Sequence, residues 1–310
     1  MVNSKVLGRL KFRENKKWYF IVILGVVLFL LFFFTGFLQK NGVDSRDLNR
    51  WNYSNGVIEG AEAFNLLGDN HTCWVLIHSY AATPIEMKEL AHEIYDEFSD
   101  SVYVIRLEGH GEVPSKLYNL SLDDWYLQVS NIYEDVSSEC ENVNVVGSSF
   151  GGALSIRLAE DYDFKSLFVV NGYLAPTYKW YTVFNLNFYL DIFTPVLHYS
   201  KKVKSARIND PEGLKNHVAY LNFVFSSVRD SRNFLADTYI NISSVNENLL
   251  IQHSTGDSVA DPNPVEDFFN MASSNSKEMV WFEKSDHVIL SDYDSEEAIK
   301  NIIEFEKKNR

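Results

Sequence analysis

The strongest constraint on the fold is an alternation of short β-rich runs with amphipathic helical runs over most of the chain. The β-rich runs have the composition of buried strands and lie at 73–78, 101–107, 142–147, 166–172, 248–254 and 277–283. A last helical run follows over about 294–308. Strands separated by helices are typical of a mostly parallel central sheet flanked by helices. The sequence therefore predicts one α/β domain over residues 51–310.

Two of the predicted helices begin with capping signals. Thr83 is the expected N-cap of the first helix, with Pro84 at its first position and Glu86 closing a capping box. Ser121 and Asp124 form a second S-x-x-D box before the next helix. In each box the acidic side chain is expected to bind the backbone at the start of its own helix.

One segment, residues 173–240, interrupts the alternation. It is rich in aromatic residues and contains no clear strand pattern. Because the rhythm of strands and helices resumes afterwards, the segment is interpreted as an inserted helical cap. An irregular part of the core is the alternative interpretation.

The N-terminal region contains an apolar run from Trp18 to Leu38, 21 residues without a charge. At about 1.5 Å per residue a helix of this length spans roughly 30 Å, the thickness of a bilayer core. The run predicts an uncleaved transmembrane anchor, with a cleaved signal peptide and a buried soluble helix as alternatives. Residues 1–17 carry six cations, which predict a cytoplasmic tail by the positive-inside rule.

This topology gives the rest of the chain a predicted location. Polar residues 39–50 are interpreted as a linker, and the domain over 51–310 is expected outside the cytoplasm. The net charge is −14, and because residues 1–17 contribute +5, the remainder carries −19. Such an acidic body argues against nucleic-acid binding, which depends on Lys and Arg neutralising phosphates.

The stretch GSSFG, residues 147–151, matches the pattern G-x-S-x-G with Ser149 at its centre. A β-rich run precedes it and an amphipathic helix follows, which is the context of a nucleophile on a sharp strand-to-helix turn. The neighbouring Ser148 has no glycine two residues away on either side. The alternative is an inert turn of small residues. The pattern favours Ser149 as a nucleophile.

A serine nucleophile needs a base and an acid that orients the base. Among the eight histidines, His287 follows the last predicted strand, at the carboxyl edge of the sheet where sites of open α/β sheets lie. Asp257 follows the strand 248–254 and is the expected acid, with Asp261 as its rival. His78 and His110 are expected to brace loops by hydrogen bonding.

Four stretches of the sequence resemble the α/β-hydrolase superfamily, most closely bacterial carboxylesterases and monoacylglycerol lipases. VLIHSYAATPIEMKELA resembles the oxyanion segment of that family, and RLEGHGEVPSKLYNLSLDDW resembles its L-x-GHG-x-x-P…DW stretch. GSSFGG resembles the nucleophile turn, and GDSVADP…SDHVI resembles the segments that carry the acid and the base. The resemblance extends from residue 73 to about 290, except for the cap.

The resemblance implies a role for each matching residue. Ser149 would attack an ester carbonyl, His287 would take its proton, and Asp257 would orient His287. The backbone N–H groups of Tyr80 and Phe150 would form the oxyanion hole. Ser79 departs from the family, because it stands where glycine is usual and where a side chain can crowd the oxyanion loop.

The implied function is that of a serine carboxylesterase or lipase anchored in a bacterial inner membrane as a single-pass protein. It would act on short- or medium-chain esters or monoacylglycerols, with no cofactor and no metal. Thioesterase or acyltransferase activity would use the same residues, and a non-catalytic membrane-tethered binding protein is the alternative from a different class. Fold alone does not decide among these substrates.

The chain contains only two cysteines, Cys73 and Cys140, so a cysteine-based zinc site is excluded. In the strand order of the resembled family, the strands that these cysteines precede or open are parallel neighbours. Neighbouring strands lie about 4.8 Å apart, which is close enough for a disulfide. The sequence leaves open whether the cysteines are bonded or form two separate buried thiols.

Overall fold

The computed structural model describes residues 17–31, 34, 43–177, 188, 190–191, 194, 197–202 and 204–310. Its described part contains a central sheet of seven strands. These strands are β3 (Phe64–Leu66), β4 (Asp69–Ile77), β5 (Asp100–Val104), β6 (Asn142–Ser148), β7 (Ser166–Val170), β10 (Asn248–Ser254) and β11 (Lys277–Phe282). The described residues also contain four strands outside this sheet: β1 (Tyr53–Ser54), β2 (Val57–Ile58), β8 (Tyr199–Lys201) and β9 (Asn222–Val224).

The strand order of the central sheet is β11-β10-β7-β6-β4-β5-β3. Every neighbouring pair is parallel except β3 and β5, which are antiparallel. After β4 the chain passes to β5 on one side, and after β6 it passes to β7 on the other. The carboxyl ends of β4 and β6 therefore flank a topological switch point, where ligands bind in open α/β sheets.

Helices cover both faces of the sheet, as the alternation predicts. Their bounds are α1 (Ser45–Leu48), α2 (Lys88–Phe98), α3 (Leu122–Glu139), α4 (Phe150–Asp161), α5 (Pro211–Asn216), α6 (Phe225–Asp230), α7 (Arg232–Ile240), α8 (Pro262–Met271) and α9 (Ser295–Asn309). Successive side chains of a strand point to opposite faces. Accordingly Val75 packs in the core beside α3 and α4, whereas Trp74 packs in the core beside α2 and α9.

The segment predicted as a cap is described except for 178–187, 189, 192–193, 195–196 and 203. Its described part contains α5, α6 and α7, and also the antiparallel pair β8 and β9, which the sequence did not predict. These strands have only three residues each, which is too short for an alternation of apolar and polar residues to be recognised in an aromatic-rich segment. The Tyr220 amide donates to the Ala81 carbonyl at 2.8 Å, so the segment contacts the loop that follows β4.

The predicted transmembrane anchor and the localisation that rested on it are wrong. Within the described residues, no helix is both long enough and apolar enough to cross a membrane. Residues 32–33 and 35–38 of the predicted span, and 1–16 of the predicted tail, lie outside the described residues.

Residues 43–50, part of the predicted linker, contact the domain directly. Asp47 in α1 is buried, and its carboxylate accepts a hydrogen bond from the Leu221 amide at 2.8 Å. Asp44 accepts from the Ser115 amide at 2.9 Å. The sequence predicted a linker because polar residues such as Asp44 and Asp47 are usually solvated. Their partners, Ser115 and Leu221, are distant in the sequence, so no local pattern indicates these contacts. Residues 39–42 lie outside the described residues.

One predicted capping box forms and the other does not. Ser121 and Asp124 make the reciprocal contacts at the start of α3, with the Ser121 amide donating to the Asp124 carboxylate at 2.8 Å. At the other site the chain first forms a 3₁₀ turn, Pro84–Met87, before α2. There the Glu86 side chain turns away from the Thr83 amide and binds Ser79 instead. Glu86 therefore binds Ser79 and not the Thr83 amide, and no capping box forms at this site.

The two cysteines form a disulfide. Cys73 in β4 and Cys140 at the end of α3 have Cα atoms 6.0 Å apart, within the range that the bond requires. The bond joins residues 67 positions apart near the amino ends of β4 and β6. It therefore closes a long loop at the edge of the sheet opposite to the switch point.

We expect reduction of this disulfide to lower stability without lowering activity. A loop of this length corresponds to about 4 kcal/mol of unfolding free energy in the chain-entropy account. A Cys73→Ser/Cys140→Ser variant should accordingly unfold at a lower urea concentration, and its kcat should match that of the wild type. Wild type treated with a phosphine reductant is the matched control. Two free thiols in denatured, unreduced wild type would contradict the bond.

Candidate active site

Ser149 lies on a sharp turn between β6 and α4. Its backbone has φ 55° and ψ −116°, a conformation that non-glycine residues rarely adopt and that costs of order 1–3 kcal/mol. The turn is held from both sides, because the Ser149 amide donates to the Val170 carbonyl and the Ser149 carbonyl accepts from the Tyr173 amide, each at 3.0 Å. The surrounding structure thus maintains a strained residue with its side chain directed away from the sheet.

The glycines around Ser149 are required by close backbone packing. A Cβ atom on Gly151 would lie 2.2 Å from the Ile77 carbonyl oxygen, and one on Gly147 would lie 2.2 Å from the Gly151 carbonyl oxygen. Any other residue at these positions would force the start of α4 away from the ends of β4 and β6. The G-x-S-x-G spacing therefore lets α4 begin directly against the carboxyl end of β4.

The side chains of Ser149, His287 and Asp257 form a hydrogen-bonded chain. The Ser149 hydroxyl donates to His287 Nε2 at 2.7 Å, and His287 Nδ1 donates to Asp257 Oδ2 at 2.7 Å. All three residues are buried. The geometry is that of a nucleophile beside a base whose tautomer is fixed by a carboxylate. Side chains that lie 30 and 138 positions apart in the sequence are thus in direct contact.

The surroundings of Asp257 favour its ionised form although the side chain is buried. Burial by itself would raise its pKa, but the charge and hydrogen bond of His287 and the amides of Val259 and Ala260 together hold the pKa below its ordinary value. These amides donate to Oδ1 at 2.7 and 2.9 Å, which leaves Oδ2 for His287. The turn residues after Asp257 therefore fix both the charge and the orientation of its carboxylate.

The pKa of His287 is shifted in the opposite direction. Burial disfavours its charged form, but the charge and hydrogen bond of Asp257, followed by the charges of Glu86 and Asp286, outweigh burial and raise the pKa above its ordinary value. A raised pKa makes the imidazole a stronger proton acceptor once it is neutral. The arrangement therefore favours the imidazolium form of His287.

Asn171 holds the loop that carries His287 and was not identified from the sequence. It is fully buried after β7, with φ 44°. Its side-chain amide donates to the carbonyl oxygens of His287 at 2.6 Å and Asp286 at 3.1 Å, and its oxygen accepts from the Ser254 amide at 2.7 Å. A polar residue directly after a buried strand was the available signal, but such residues are common turn formers.

A second link joins the loop of the acid to the loop of the base. The Ser258 amide and hydroxyl donate to the Asp286 carboxylate at 2.9 and 3.1 Å. Since Ser258 follows Asp257 and Asp286 precedes His287, this contact fixes the separation of the two loops. Neither residue was singled out in the sequence, because a paired contact between distant loops leaves no local pattern.

His253 in β10 is a further buried histidine near the acid. Its Nε2 lies 3.6 Å from Asp257 Oδ2. Burial lowers the pKa of His253 to about 4, despite the opposing charge of Asp257, so the ring is neutral at ordinary pH. His78 and His110 are buried as well, and His78 braces two loops: Nδ1 donates to the Ser79 carbonyl at 2.8 Å and Nε2 accepts from the Leu107 amide at 3.2 Å.

The rival acid Asp261 has a different partner. It is the N-cap of α8, and its carboxylate accepts from the Asn263 amide at 3.0 Å.

Among the described residues, no group of three or more metal-binding side chains is arranged to hold an ion.

The amides of Tyr80 and Phe150 are available at the expected oxyanion position. Phe150 is the first residue of α4, where a helical N–H has no partner within the helix. Within the described residues neither amide donates to a protein acceptor. The two residues are neighbours, with ring centroids 5.1 Å apart. The Phe150 N–H directly follows Ser149 at the start of α4, where the helix dipole favours negative charge.

Comparison with known proteins identifies the family. Residues 69–294 match the family model described as serine aminopeptidase, S33. The chain belongs to this family. The match includes Ser149, Asp257 and His287, and it covers the central sheet from β4 to β11.

Several characterised relatives are similar over most of their length. A thermostable monoacylglycerol lipase of Bacillus sp. (strain H-257) is 28% identical over 261 residues, which cover 82% of this chain and 97% of the relative. A carboxylesterase of Bacillus subtilis (strain 168) is 21% identical over 236 residues, covering 76% and 92%. A solved structure of a metagenome-derived lipolytic enzyme superimposes with a TM-score of 0.72 at 23% identity, covering 81% and 99%.

These matches confirm two predictions made from the sequence. The chain has the α/β-hydrolase fold, with its mostly parallel central sheet. It is a serine hydrolase of the carboxylesterase and lipase type. The roles of the individual site residues and the identity of the substrate are separate questions.

We predict that Asp257→Asn lowers kcat by about four orders of magnitude, because an amide favours the wrong tautomer of His287. Asp261→Asn is the matched control and should retain kcat within about tenfold, since Asn also caps helices well. Steady-state hydrolysis of a nitrophenyl ester measures both. A larger loss in the Asp261 variant would reassign the acid.

Activity should fall in acid with a midpoint above about 6.5, the ordinary pKa of histidine. The base must be neutral, and the raised pKa of His287 keeps it protonated to a higher pH than a free imidazole. As the pH falls through that raised value, kcat/KM is lost. A profile of kcat/KM from pH 5 to 9 measures the midpoint, and a flat profile between pH 5 and 8 is incompatible with His287 as the base.

Proposed function

We propose that this chain hydrolyses carboxylic esters of short- and medium-chain acids, monoacylglycerols among them, with Ser149, His287 and Asp257 as its catalytic triad. The observation that carries the proposal is the hydrogen-bonded chain from the Ser149 hydroxyl to the Asp257 carboxylate, with both contacts at 2.7 Å. The names of two relatives, a monoacylglycerol lipase and a carboxylesterase, support the substrate class.

In the first step the Ser149 oxygen attacks the ester carbonyl carbon while His287 Nε2 takes the hydroxyl proton. The carbonyl oxygen becomes an oxyanion and accepts hydrogen bonds from the Tyr80 and Phe150 amides. Each such donor contributes on the order of 3 kcal/mol to lowering the barrier. The imidazolium then gives its proton to the departing alcohol oxygen, the C–O bond breaks, and an acyl-Ser149 ester remains.

The second half of the reaction repeats these steps with water. His287 takes a proton from a water molecule, whose oxygen attacks the acyl carbon. The same amides hold the new oxyanion, and the proton on His287 returns to the Ser149 oxygen as the acid leaves. Every proton released in one step is consumed in another, so the chemistry needs no metal or cofactor.

Aromatic side chains beside the nucleophile support an apolar acyl group. The Phe150 ring packs against Tyr80 at 5.1 Å and against Tyr173 at 4.8 Å between centroids. The Tyr80 ring also contacts Phe223 of β9 at 5.9 Å. Pockets for apolar ligands combine such walls with a few fixed polar groups. An acyl chain placed on Ser149 would lie against these rings.

Labelling by a fluorophosphonate probe, followed by peptide mass spectrometry, tests the nucleophile in the full chain. We expect a single adduct on Ser149. Ser149→Ala should abolish labelling and lower hydrolysis of nitrophenyl esters by about a thousandfold or more. Ser148→Ala removes the adjacent hydroxyl, which does not contact His287, and should cost at most about tenfold.

A panel of nitrophenyl esters of graded chain length, monoacylglycerols, a thioester and an aminoacyl nitroanilide tests the substrate class. Highest kcat/KM on a short- or medium-chain ester or monoacylglycerol supports the proposal. Faster turnover of the nitroanilide or the thioester would replace it by an aminopeptidase or thioesterase. No labelling and no turnover of any of them would leave a binding protein as the function.

A further inference from the structure

A buried carboxyl group lies behind the proposed oxyanion site and has no part in the triad. Glu86, in the 3₁₀ turn after the oxyanion loop, is 3% exposed. It binds Ser79 twice: the Ser79 hydroxyl donates to Oε1 at 2.7 Å and the Ser79 amide donates to Oε2 at 3.2 Å. The sequence predicted that Ser79, which replaces the usual glycine, can crowd this loop. In the structure both its hydroxyl and its amide donate to Glu86, seven residues away.

The same serine also contacts the nucleophile turn. Its hydroxyl oxygen lies 3.0 Å from that of Ser148, the last residue of β6. Either hydroxyl can be the donor in this contact. Ser148, Ser79 and Glu86 thus form one hydrogen-bonded group, and all three residues are buried.

The chain of hydrogen bonds joins the two segments that supply the oxyanion donors. Ser79 directly precedes Tyr80, and Ser148 lies two residues before Phe150. The contact between the serines therefore sets the distance between the two backbone segments just before the N–H groups that would bind the oxyanion. Such donors must lie about 2.7–3.1 Å from the oxyanion, so a small displacement weakens both bonds.

Keeping a carboxyl group in this place is costly. Burial raises the pKa of Glu86, and the hydrogen bonds of Ser148 and Ser79 only partly oppose that effect. An apolar side chain of similar size avoids the desolvation cost of a buried carboxyl. A polar network that is buried and fully satisfied rigidifies the groups it joins, which is a reason for its presence beside a reactive site.

We propose that Glu86 and Ser79 are positioning residues, which act through Ser148 to hold the Tyr80 and Phe150 amides at the spacing that the oxyanion requires. This inference rests on the proposed esterase function and extends it. Neither side chain touches the substrate. Their effect is on the barrier of the reaction and not on the affinity for the ground-state ester.

Three variants in the full chain test the proposal: Ser79→Ala, Glu86→Gln and the double variant. Ser101→Ala is the matched control, because Ser101 is a fully buried serine whose hydroxyl donates to Asn70 at 2.7 Å at the amino end of β5. We expect Ser79→Ala to lower kcat about tenfold and Glu86→Gln about threefold to tenfold, with KM changed less than twofold. The control should retain kcat within twofold.

Two further readouts separate positioning from a loss of stability. A trifluoromethyl ketone forms a hemiketal oxyanion on the nucleophile, so its Ki should rise by the same factor as kcat falls. The double variant should be no slower than Ser79→Ala, since both changes break one chain of bonds. If Ser79→Ala does not fold, Glu86→Gln and Ser148→Ala carry the same comparisons.

The outcomes distinguish this inference from the proposed function. Unchanged kcat and Ki in the folded variants, with active wild type, would overturn the positioning role alone. A fall in kcat that the Ser101→Ala control shares, or additive losses in the double variant, would also overturn it. Wild type without hydrolysis dependent on Ser149 would overturn both.

Discussion

The close approach of α4 to the carboxyl end of β4 is the constraint on which the rest of the site depends. Gly151 lies against the carbonyl of Ile77 with no space for a side chain. This contact brings the first amide of α4 beside the loop that follows β4, and it forces Ser149 into its strained turn. Because the chain leaves β4 and β6 in opposite directions along the sheet, the two loops meet at a topological switch point, where ligands bind in open α/β sheets.

Asp257 and His287 reach this point on loops that are held by polar side chains of other segments. Asn171 holds the backbone of the His287 loop, and Asp286 joins that loop to the turn that carries Asp257. Loops are ordinarily mobile, but these have several long-range hydrogen bonds each. The positions of Asp257 and His287 thus depend on side chains outside the hydrogen-bonded chain that these two residues form with Ser149.

The central strands, the flanking helices and the three hydrogen-bonded residues could be predicted from the sequence, because each leaves a local pattern or occurs in a fixed chain order. The antiparallel pair β8 and β9 could not, since its strands have only three residues each. The capping box at Thr83 failed for a different reason: Glu86 had a stronger partner in Ser79. The apolar run at 18–38 predicted a membrane span from composition and length alone, whereas among the described residues no helix is both long and apolar enough to cross a membrane.

The edge of the sheet formed by the carboxyl ends of the parallel strands and the edge formed by their amino ends contribute to stability with opposite signs. At the carboxyl edge, the strained backbone of Ser149 and the burial of Glu86 and His253 disfavour the folded state. At the amino edge, the disulfide joins β4 to the end of α3 and stabilises the fold without contacting the site. The fully buried side chains of Trp74 and Phe168 pack between the edges on the face covered by α2 and α9. A substitution at the amino edge should hence alter stability first, whereas one at the carboxyl edge should alter the reaction first, because only there do the polar contacts set the positions of reacting atoms.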